Sequence, residues 1–421
     1  MMLPGLMSSL YKDLNDEQKQ AIELLHSNNN VFLTGKAGTG KSYTINSYLK
    51  GMDDELVPVL ASTGAAAVLI GGRTFHSFFG LGIMEGGAEQ TIERAMSSKK
   101  VVKRIRKANA LVIDEISMIP GSVLDVAEAI ARYAREDEEA WGGLKIITVG
   151  DFYQLPPITR GYGVNKDWAF LSNSWMRSNF QTVCLNQVMR SEGDDDFIDI
   201  LNFCREGQWE QSFEDFLESK IYDSQLEAFE GTSLLSRKAE VDKMNQYYLD
   251  ELEGEEYSFS TKYSGDKYAI KSLKRNLPIS DELVLKVGAL VMIRQNDPMG
   301  RWVNGSQGRI LAINDTELTI ELLDSRRVKV KKAPFTHLDA DGVEKACARN
   351  FPISLAWAIT IHKAQGCTLD KALVDLSNLW EPGQAYVALS RVRSGNDLYV
   401  KSWSKNSVKV DSKVKEFYQT L

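Results

Sequence analysis

The sequence predicts an α/β protein built on two parallel sheets, with a small antiparallel unit inserted in the second. Three observations lead there. Short apolar runs, each closed by small or charged residues and followed by a helical pattern, recur at VFLTG (31–35), VPVLAS (57–62), ALVIDE (110–115) and KIITVGD (145–151). A second set of the same kind follows at TSLLSR (232–237), SLAWAIT (354–360), KALVDLS (371–377) and DLYVKSW (397–403). Continuous apolar runs of this sort are parallel strands buried on both faces. Between the halves of the second set, roughly residues 260–350 change to period-two alternation with Asn304-Gly305 and Asn314-Asp315 as turns, which predicts a small antiparallel barrel. The length of 421 residues fits two to three domains at roughly 150 residues each.

Composition narrows the class. With 43% hydrophobic and 25% charged residues the chain is neither disordered nor fibrous. Cys184, Cys204, Cys347 and Cys367 have no zinc-ligand spacing and no disulfide framework, which fits a reducing compartment. The start, MMLPGLMSSLYKDLNDEQ, lacks a basic region followed by an apolar one, and no run approaches eighteen uncharged apolar residues. A cytoplasmic protein with no membrane partner is expected.

The first strand runs into Gly35-Lys36-Ala37-Gly38-Thr39-Gly40-Lys41-Ser42, a GxxxxGK[ST] loop followed by a helical stretch. Its glycines let backbone N–H groups face phosphates, and the helix start adds a positive dipole. Lys41 is placed to reach the β- and γ-phosphates of ATP, and the Ser42 hydroxyl to ligate Mg²⁺. Asp114-Glu115 closes another apolar run, so two carboxylates fall at a strand tip beside the loop. Asp114 is the metal-side acid and Glu115 the residue that orients or deprotonates the attacking water.

Other stretches supply candidate contacts. Gln18, one helix before the loop, either offers its amide to the edge of adenine or serves a helix start capped by Asn15. Thr63, His76 and Ser77 offer uncharged donors to a sugar-phosphate chain, with a core histidine as the other reading of His76. Gln154 in GDFYQLPP is placed to touch a γ-phosphate. Tyr162, Gly163, Trp168 and Phe170 are either stacking groups or packed aromatics. Arg391 in YVALSRVRS, facing the first sheet from the second, would act as an arginine finger.

Taken in order, LNDEQ, GKAGTGKS, ASTGAAA, GRTFHSFFG, VIDEISM, GDFYQLPP, LNQVMR, VGALVMIRQND with VNGSQG, AITIHKAQG and YVALSRVRS resemble the superfamily one helicases, and within them the PIF-type branch of 5′ to 3′ DNA helicases. EISMIPGSVLDVAEAIARYAR (115–135) is similar to the branch's own signature after its DE pair. The resemblance implies two RecA-like P-loop domains, at residues 1–185 and at 186–259 with 351–421, an inserted SH3-like subdomain at 260–350, and a short wedge within 76–109. It implies an ATP- and Mg²⁺-dependent helicase that unwinds forked or tailed duplex DNA, and also G-quadruplex or RNA–DNA hybrid, in replication, repair, recombination or telomere maintenance. A nucleotide-gated remodelling ATPase that separates no strands is the alternative. By resemblance Gln18 reads adenine; Gly35, Ala37, Gly38, Thr39, Gly40, Lys41 and Ser42 form the phosphate and magnesium site; Gln154 is the γ-phosphate sensor; Arg190 and Arg391 are the fingers. Thr63, His76, Ser77, Asn304, Thr360, His362 and Lys363 would hold single-stranded DNA, with a monomer expected and a dimer on DNA possible. With LNDEQ almost at the start and about thirty residues after Arg391, the long extensions of eukaryotic members are not expected, and localisation or partner signals carried there are not inferred.

The net charge of −7 is unevenly spread. Residues 190–230 hold thirteen acids against three bases, a net −10 that leaves +3 for the rest. Two basic runs, Lys99 to Lys107 and Arg326 to Lys332, are candidate DNA faces or solvated surface.

Overall fold

The computed structural model describes residues 13–62, 66–67, 73–82, 84, 86–158, 165–223, 229–338 and 344–421. The first sheet has six parallel strands: β1 (Val31–Gly35), β2 (Val59–Ala61), β3 (Arg73–Thr74), β4 (Ala110–Ile113), β5 (Lys145–Val149) and β6 (Gln181–Leu185), in the order β3-β2-β4-β5-β1-β6. Alternation along β1 divides two cores. Val31 and Leu33 face the core under helices Asp16–Leu25 and Lys41–Leu49, while Phe32 faces the larger core under helix Gly121–Arg135. Helix Asp16–Leu25 begins with a capping box, Asn15 accepting from the Gln18 N–H at 2.8 Å and Gln18 from the Asn15 N–H at 3.1 Å.

β7 (Thr232–Leu235) starts a second parallel sheet, and the chain then leaves it. β8 (Tyr257–Ser260) pairs with β10 (Glu282–Leu285). β9 (Lys262–Gly265) joins β15 (Ala333–Leu338) and β16 (Glu344–Asn350). β11 (Leu290–Ile293), β12 (Gln307–Ile313), β13 (Glu317–Leu322), β14 (Arg327–Lys331) and β17 (Ile353–Leu355) make a five-stranded sheet. All these pairings are antiparallel. The chain returns as β18 (Ala358–Thr360), β19 (Ala372–Leu376) and β20 (Leu398–Trp403), completing a parallel sheet of order β18-β7-β19-β20.

One strand reading is corrected. The run SLAWAIT is two strands: Ser354 and Leu355 pair antiparallel to β11, and Ala358 to Thr360 pair parallel to β7. The inserted residues form three antiparallel sheets, with strands from Tyr257 to Leu355. β3 and the half-exposed β6 are additions to the expected strands; both are short edge strands without a strong apolar run.

Helix Ser412–Gln419 folds back from the second sheet onto the first. Phe417 stacks on Phe170 with centroids 4.4 Å apart and also meets Phe32, Phe152 and Trp175. The Tyr418 hydroxyl lies 2.7 Å from Thr34 Oγ1, accepts from the Phe152 N–H at 3.1 Å and donates to Asp151 Oδ1 at 3.2 Å. Trp168 and Phe170 are therefore buried members of an aromatic core and not stacking groups for bases; Tyr162 and Gly163 lie outside the described residues.

Candidate nucleotide cleft and strand-binding face

A cleft of about 260 Å³ lies at the carboxyl ends of the first sheet's strands and is closed by residues of the second. Its floor is the loop between β1 and helix Lys41–Leu49. Gly38 has φ +81°, and a Cβ there would stand 2.6 Å from Arg190 Cβ, so only glycine allows the Met189 and Arg190 N–H groups to reach the Gly38 carbonyl at 2.9 and 3.1 Å. The Ala37 N–H donates to the Tyr386 hydroxyl at 2.7 Å, tying the loop to helix Gln384–Leu389. The Lys41 ammonium donates to the Gly35 and Lys36 carbonyls at 2.7 and 2.9 Å. Burial pulls its pKa below the ordinary lysine range, against the opposing charges of Asp151 and Glu115.

The acids stand just beyond β4. Glu115 has φ 51° and ψ 49°, a left-handed conformation that non-glycine residues seldom adopt. This turn lets its N–H donate to Asp114 Oδ1 at 2.9 Å, while Gln365 Nε2 donates to Glu115 Oε2 at 3.0 Å from the opposite wall. Burial first, and the Glu115 charge second, raise the Asp114 carboxyl to about 7. The Asp114 carboxyl and the Ser42 hydroxyl both line the cleft, an oxygen donor set that suits a magnesium ion keeping most of its waters. Among the described residues there is no cluster of three His, Cys, Asp or Glu that would form a protein cage for a metal.

Gln154, just after β5, also lines the cleft, and Arg190, Gly366 and Arg391 face it from the later part of the chain. Arg391 is 2% exposed and its guanidinium is fixed within its own half: it donates to Val387 O and Ser390 Oγ at 2.7 Å and to Ala364 O and Cys367 O at 3.3 Å. Arg190 Nη1 donates to Ser390 O at 2.7 Å. Burial first, then the neighbouring Arg391 charge, bring Arg190 down to about 9. Among the described residues neither arginine forms an ion pair with a carboxylate, although the Glu115 charge acts on Arg391, so the two cations suit an incoming anion. The close approach of the halves shows again at Gly383, where a Cβ would lie 2.4 Å from Gln154 O.

The cleft thus gathers Ala37, Gly38, Gly40, Lys41, Ser42, Asp114, Glu115, Gln154, Arg190 and Arg391, and adds Tyr43, which sequence reasoning missed. Gly35, Thr39 and Gln18 are not on its wall. Gln18 is 3% exposed behind the loop, its Oε1 accepting from the Asn15 N–H and its Nε2 donating to Thr39 O at 3.2 Å, so it joins the helix start to the phosphate loop. Gln365, already a candidate residue of AITIHKAQG, gains a specific partner in its hydrogen bond to Glu115.

Thr63 lies outside the described residues. His76 and Ser77 sit in helix Phe75–Phe79, and burial lowers the His76 pKa. Thr360 caps helix Ile361–Ala364, accepting from the Lys363 N–H at 3.3 Å. His362 and Lys363 follow at the carboxyl end of β18, and Asn304 sits in the turn before β12. The basic runs are less open than their sequence suggests. Arg104 reaches the Phe78 and Ser77 carbonyls at 2.5 and 2.6 Å, Arg106 pairs with Glu136, and Lys107 with Glu55. On β14, Arg327 pairs with Glu321 and Lys329 with Glu317, both at 3.0 Å, and Arg326 pairs with Asp324 at 2.7 Å. Helices Asp195–Glu206 and Gln211–Ser219 carry the acidic segment largely on the surface.

Comparison with known proteins agrees with this geometry. Residues 13–215 match the PIF1-like helicase family. The chain is 47% identical over 418 residues to the ATP-dependent DNA helicase Pif1 of Bdellovibrio bacteriovorus, covering 99% of this chain and 94% of that one. The chain belongs to the PIF1-like helicase family. Its architecture is that of solved family members: Bacteroides Pif1 in complex with ADP-AlF4 overlays with a TM-score of 0.84 at 29% identity, over 97% of this chain and 96% of that one. Bacteroides Pif1 bound to single-stranded DNA overlays at 0.67 and 29% identity, over 97% and 96%. The α/β expectation of two RecA-like units with parallel sheets is therefore met. Among the described residues no helix is long and apolar enough to cross a membrane.

Proposed function

We propose that this ATP-dependent DNA helicase translocates 5′ to 3′ along single-stranded DNA and opens forked or tailed duplex by alternating closure of the cleft between its two parallel sheets. The observation that carries the reading is the Gln365–Glu115 hydrogen bond, because Gln365 follows by one residue the helix that bears His362 and Lys363. A strand held by Thr360, His362 and Lys363, with His76, Ser77 and Asn304, is thereby linked to the hydrolytic pair.

In this reading Lys41 exchanges its loop carbonyls for the β- and γ-phosphates. Ser42 and Asp114 would hold Mg²⁺, whose chemistry is to neutralise phosphate charge. Glu115 takes a proton as the water oxygen bonds to the γ-phosphorus and the β,γ-bridging P–O bond breaks, leaving ADP and phosphate. Gln154 senses the γ-phosphate. Arg190 and Arg391 stabilise the charge that builds on the transferred group, an effect of about 10³ to 10⁵ in rate for such arginines. Loss of that charge relaxes the far wall, and the strand advances. Backbone contacts carry no base code, so sequence preference is not expected.

The test compares forked duplexes carrying only a 5′ or only a 3′ tail, with G-quadruplex and RNA–DNA hybrid substrates alongside. Unwinding should need the 5′ tail; opening confined to the 3′-tailed substrate overturns the direction, and strand-stimulated hydrolysis without any opening supports a remodelling ATPase instead.

A further inference from the structure

We propose that Arg294 is a seat for one backbone phosphate of the bound strand, where the antiparallel insert meets the second parallel sheet. The inference rests on the strand-binding reading above and adds a residue to it. Arg294 follows β11 directly, and its N–H donates to Pro352 O at 2.7 Å, which fixes the main chain. The residue is only 6% exposed, yet among the described residues the one side-chain partner of its guanidinium is Met292 Sδ at 2.9 Å. No carboxylate among the described residues pairs with it. A guanidinium presents five donors in a planar fork, and the thioether takes only one of them, so the donors that still reach the surface are open to an incoming acceptor.

The surroundings add positive charge. Burial, followed by the charges of Arg294 and Lys238, holds Lys363 below the ordinary lysine range, and Asp242 opposes them. Asp242 is itself paired with Lys238 one helical turn away. Lys363 thus stands within reach of two other positive charges, and the one carboxylate opposing them, Asp242, already has Lys238 as its partner. Lys238 opens the helix after β7, and Lys363 lies in the helix after β18, so both stand at the carboxyl ends of adjacent parallel strands, where open α/β sheets bind their ligands. The insert approaches the same place: the Gly305 N–H donates to Ile293 O at 2.9 Å, and the neighbouring Asn304 has a buried Oδ1 with no partner among the described residues. A phosphodiester satisfies the cations of this arrangement, two of its oxygens meeting the fork with Lys363 beside it. The nucleotide's own phosphates belong to the cleft around Lys41, on the other wall.

A buried functional cation leaves a double signature. Arg294→Met removes an unpaired charge from an apolar setting, so the denaturation midpoint should equal or exceed that of the wild type. Equilibrium binding of a labelled oligo-dT to the full chain across a salt series should meanwhile weaken about fivefold to tenfold. The log–log salt slope should flatten by about 0.7, the value of one phosphate contact on a single strand. Arg294→Lys should keep the slope and lose part of the affinity, since the point charge survives and the fork does not. Wild-type affinity and slope in Arg294→Met, on a strand that the wild type binds, overturn the proposal. So does a joint loss of stability and binding in Arg294→Met with Arg294→Lys unchanged in both, which would mark a structural cation. If the wild-type protein bound no oligo-dT at all, the strand-binding reading itself would fall first.

Discussion

Asp151 and Arg205 offer the sharpest perturbation. Asp151 is fully buried just after β5, and Arg205 comes from helix Asp195–Glu206 on the acidic segment. Nη2 and Nε of Arg205 meet the two carboxylate oxygens at 3.0 and 3.2 Å, and the guanidinium lies 4.2 Å from the Tyr153 ring centroid. Burial, the largest effect, would lower the Arg205 pKa, but the Asp151 charge, the Tyr386 and Tyr418 hydroxyls and the hydrogen bond to Asp151 together outweigh it, and the net shift is upward. Arg205→Met leaves Asp151 with the Tyr153 N–H and the Tyr418 hydroxyl as donors and no cation, a loss of about 3–5 kcal/mol. Asp151→Asn leaves the cation buried and should lose a similar amount. The double variant removes both charges, keeps the amide's hydrogen bonds, and forfeits a desolvated cation–π contact of about 2 kcal/mol. It should therefore be more stable than either single variant. Urea denaturation followed by tryptophan fluorescence measures all three differences. A double variant as destabilised as the sum of the singles would refute the reasoning, because it would mean that the charges contribute independently.

Three further outcomes are expected. Tyr418→Phe deprives Thr34 and the Phe152 N–H of a buried partner and should lower stability by about 1–3 kcal/mol in the same urea assay, with circular dichroism unchanged. Gln365→Ala frees the Glu115 carboxylate and should reduce strand-stimulated kcat for ATP hydrolysis about tenfold to a hundredfold, with KM for ATP moving by less than about twofold. Replacing Arg327 and Lys329 by Gln should leave the salt slope of oligo-dT binding within about 0.3 of the wild type, since Glu321 and Glu317 already neutralise them; a drop of about 1.4 would show that both contact phosphates.

The phosphate loop, the Asp114–Glu115 pair and most parallel strands were legible because each has a fixed local grammar: an apolar run, then small residues or acids, then a helix. SLAWAIT was not, because an unbroken apolar run carries no mark where its pairing partner changes; the switch falls at Ala356, whose N–H donates to Leu290 O at 3.0 Å. The role of Gln18 hinged on which neighbours its amide meets, and sequence spacing could not choose between them. The neutralised basic run on β14 was within reach: acids on β13 face bases on β14 across a short turn, and hairpin register places Glu321 opposite Arg327. Arg205, Tyr386 and Tyr418 had no such signal. Their partners lie far away along the chain, and each sits in a helix whose pattern reads as ordinary surface or core.

The return of helix Ser412–Gln419 onto the first sheet also sets a timetable. β6 completes the first sheet at Leu185, 233 positions before Tyr418, so at synthesis rates of about 5–20 residues per second the sheet waits roughly 12–47 s for its last aromatic cover. During that interval Phe32, Phe152, Phe170 and Trp175 lack Phe417, and the strand end that feeds the phosphate loop lacks Tyr418. The nascent chain therefore carries an open aromatic groove on the ribosome, a natural holding point for a chaperone, and its nucleotide floor becomes rigid only when synthesis has passed the final helix.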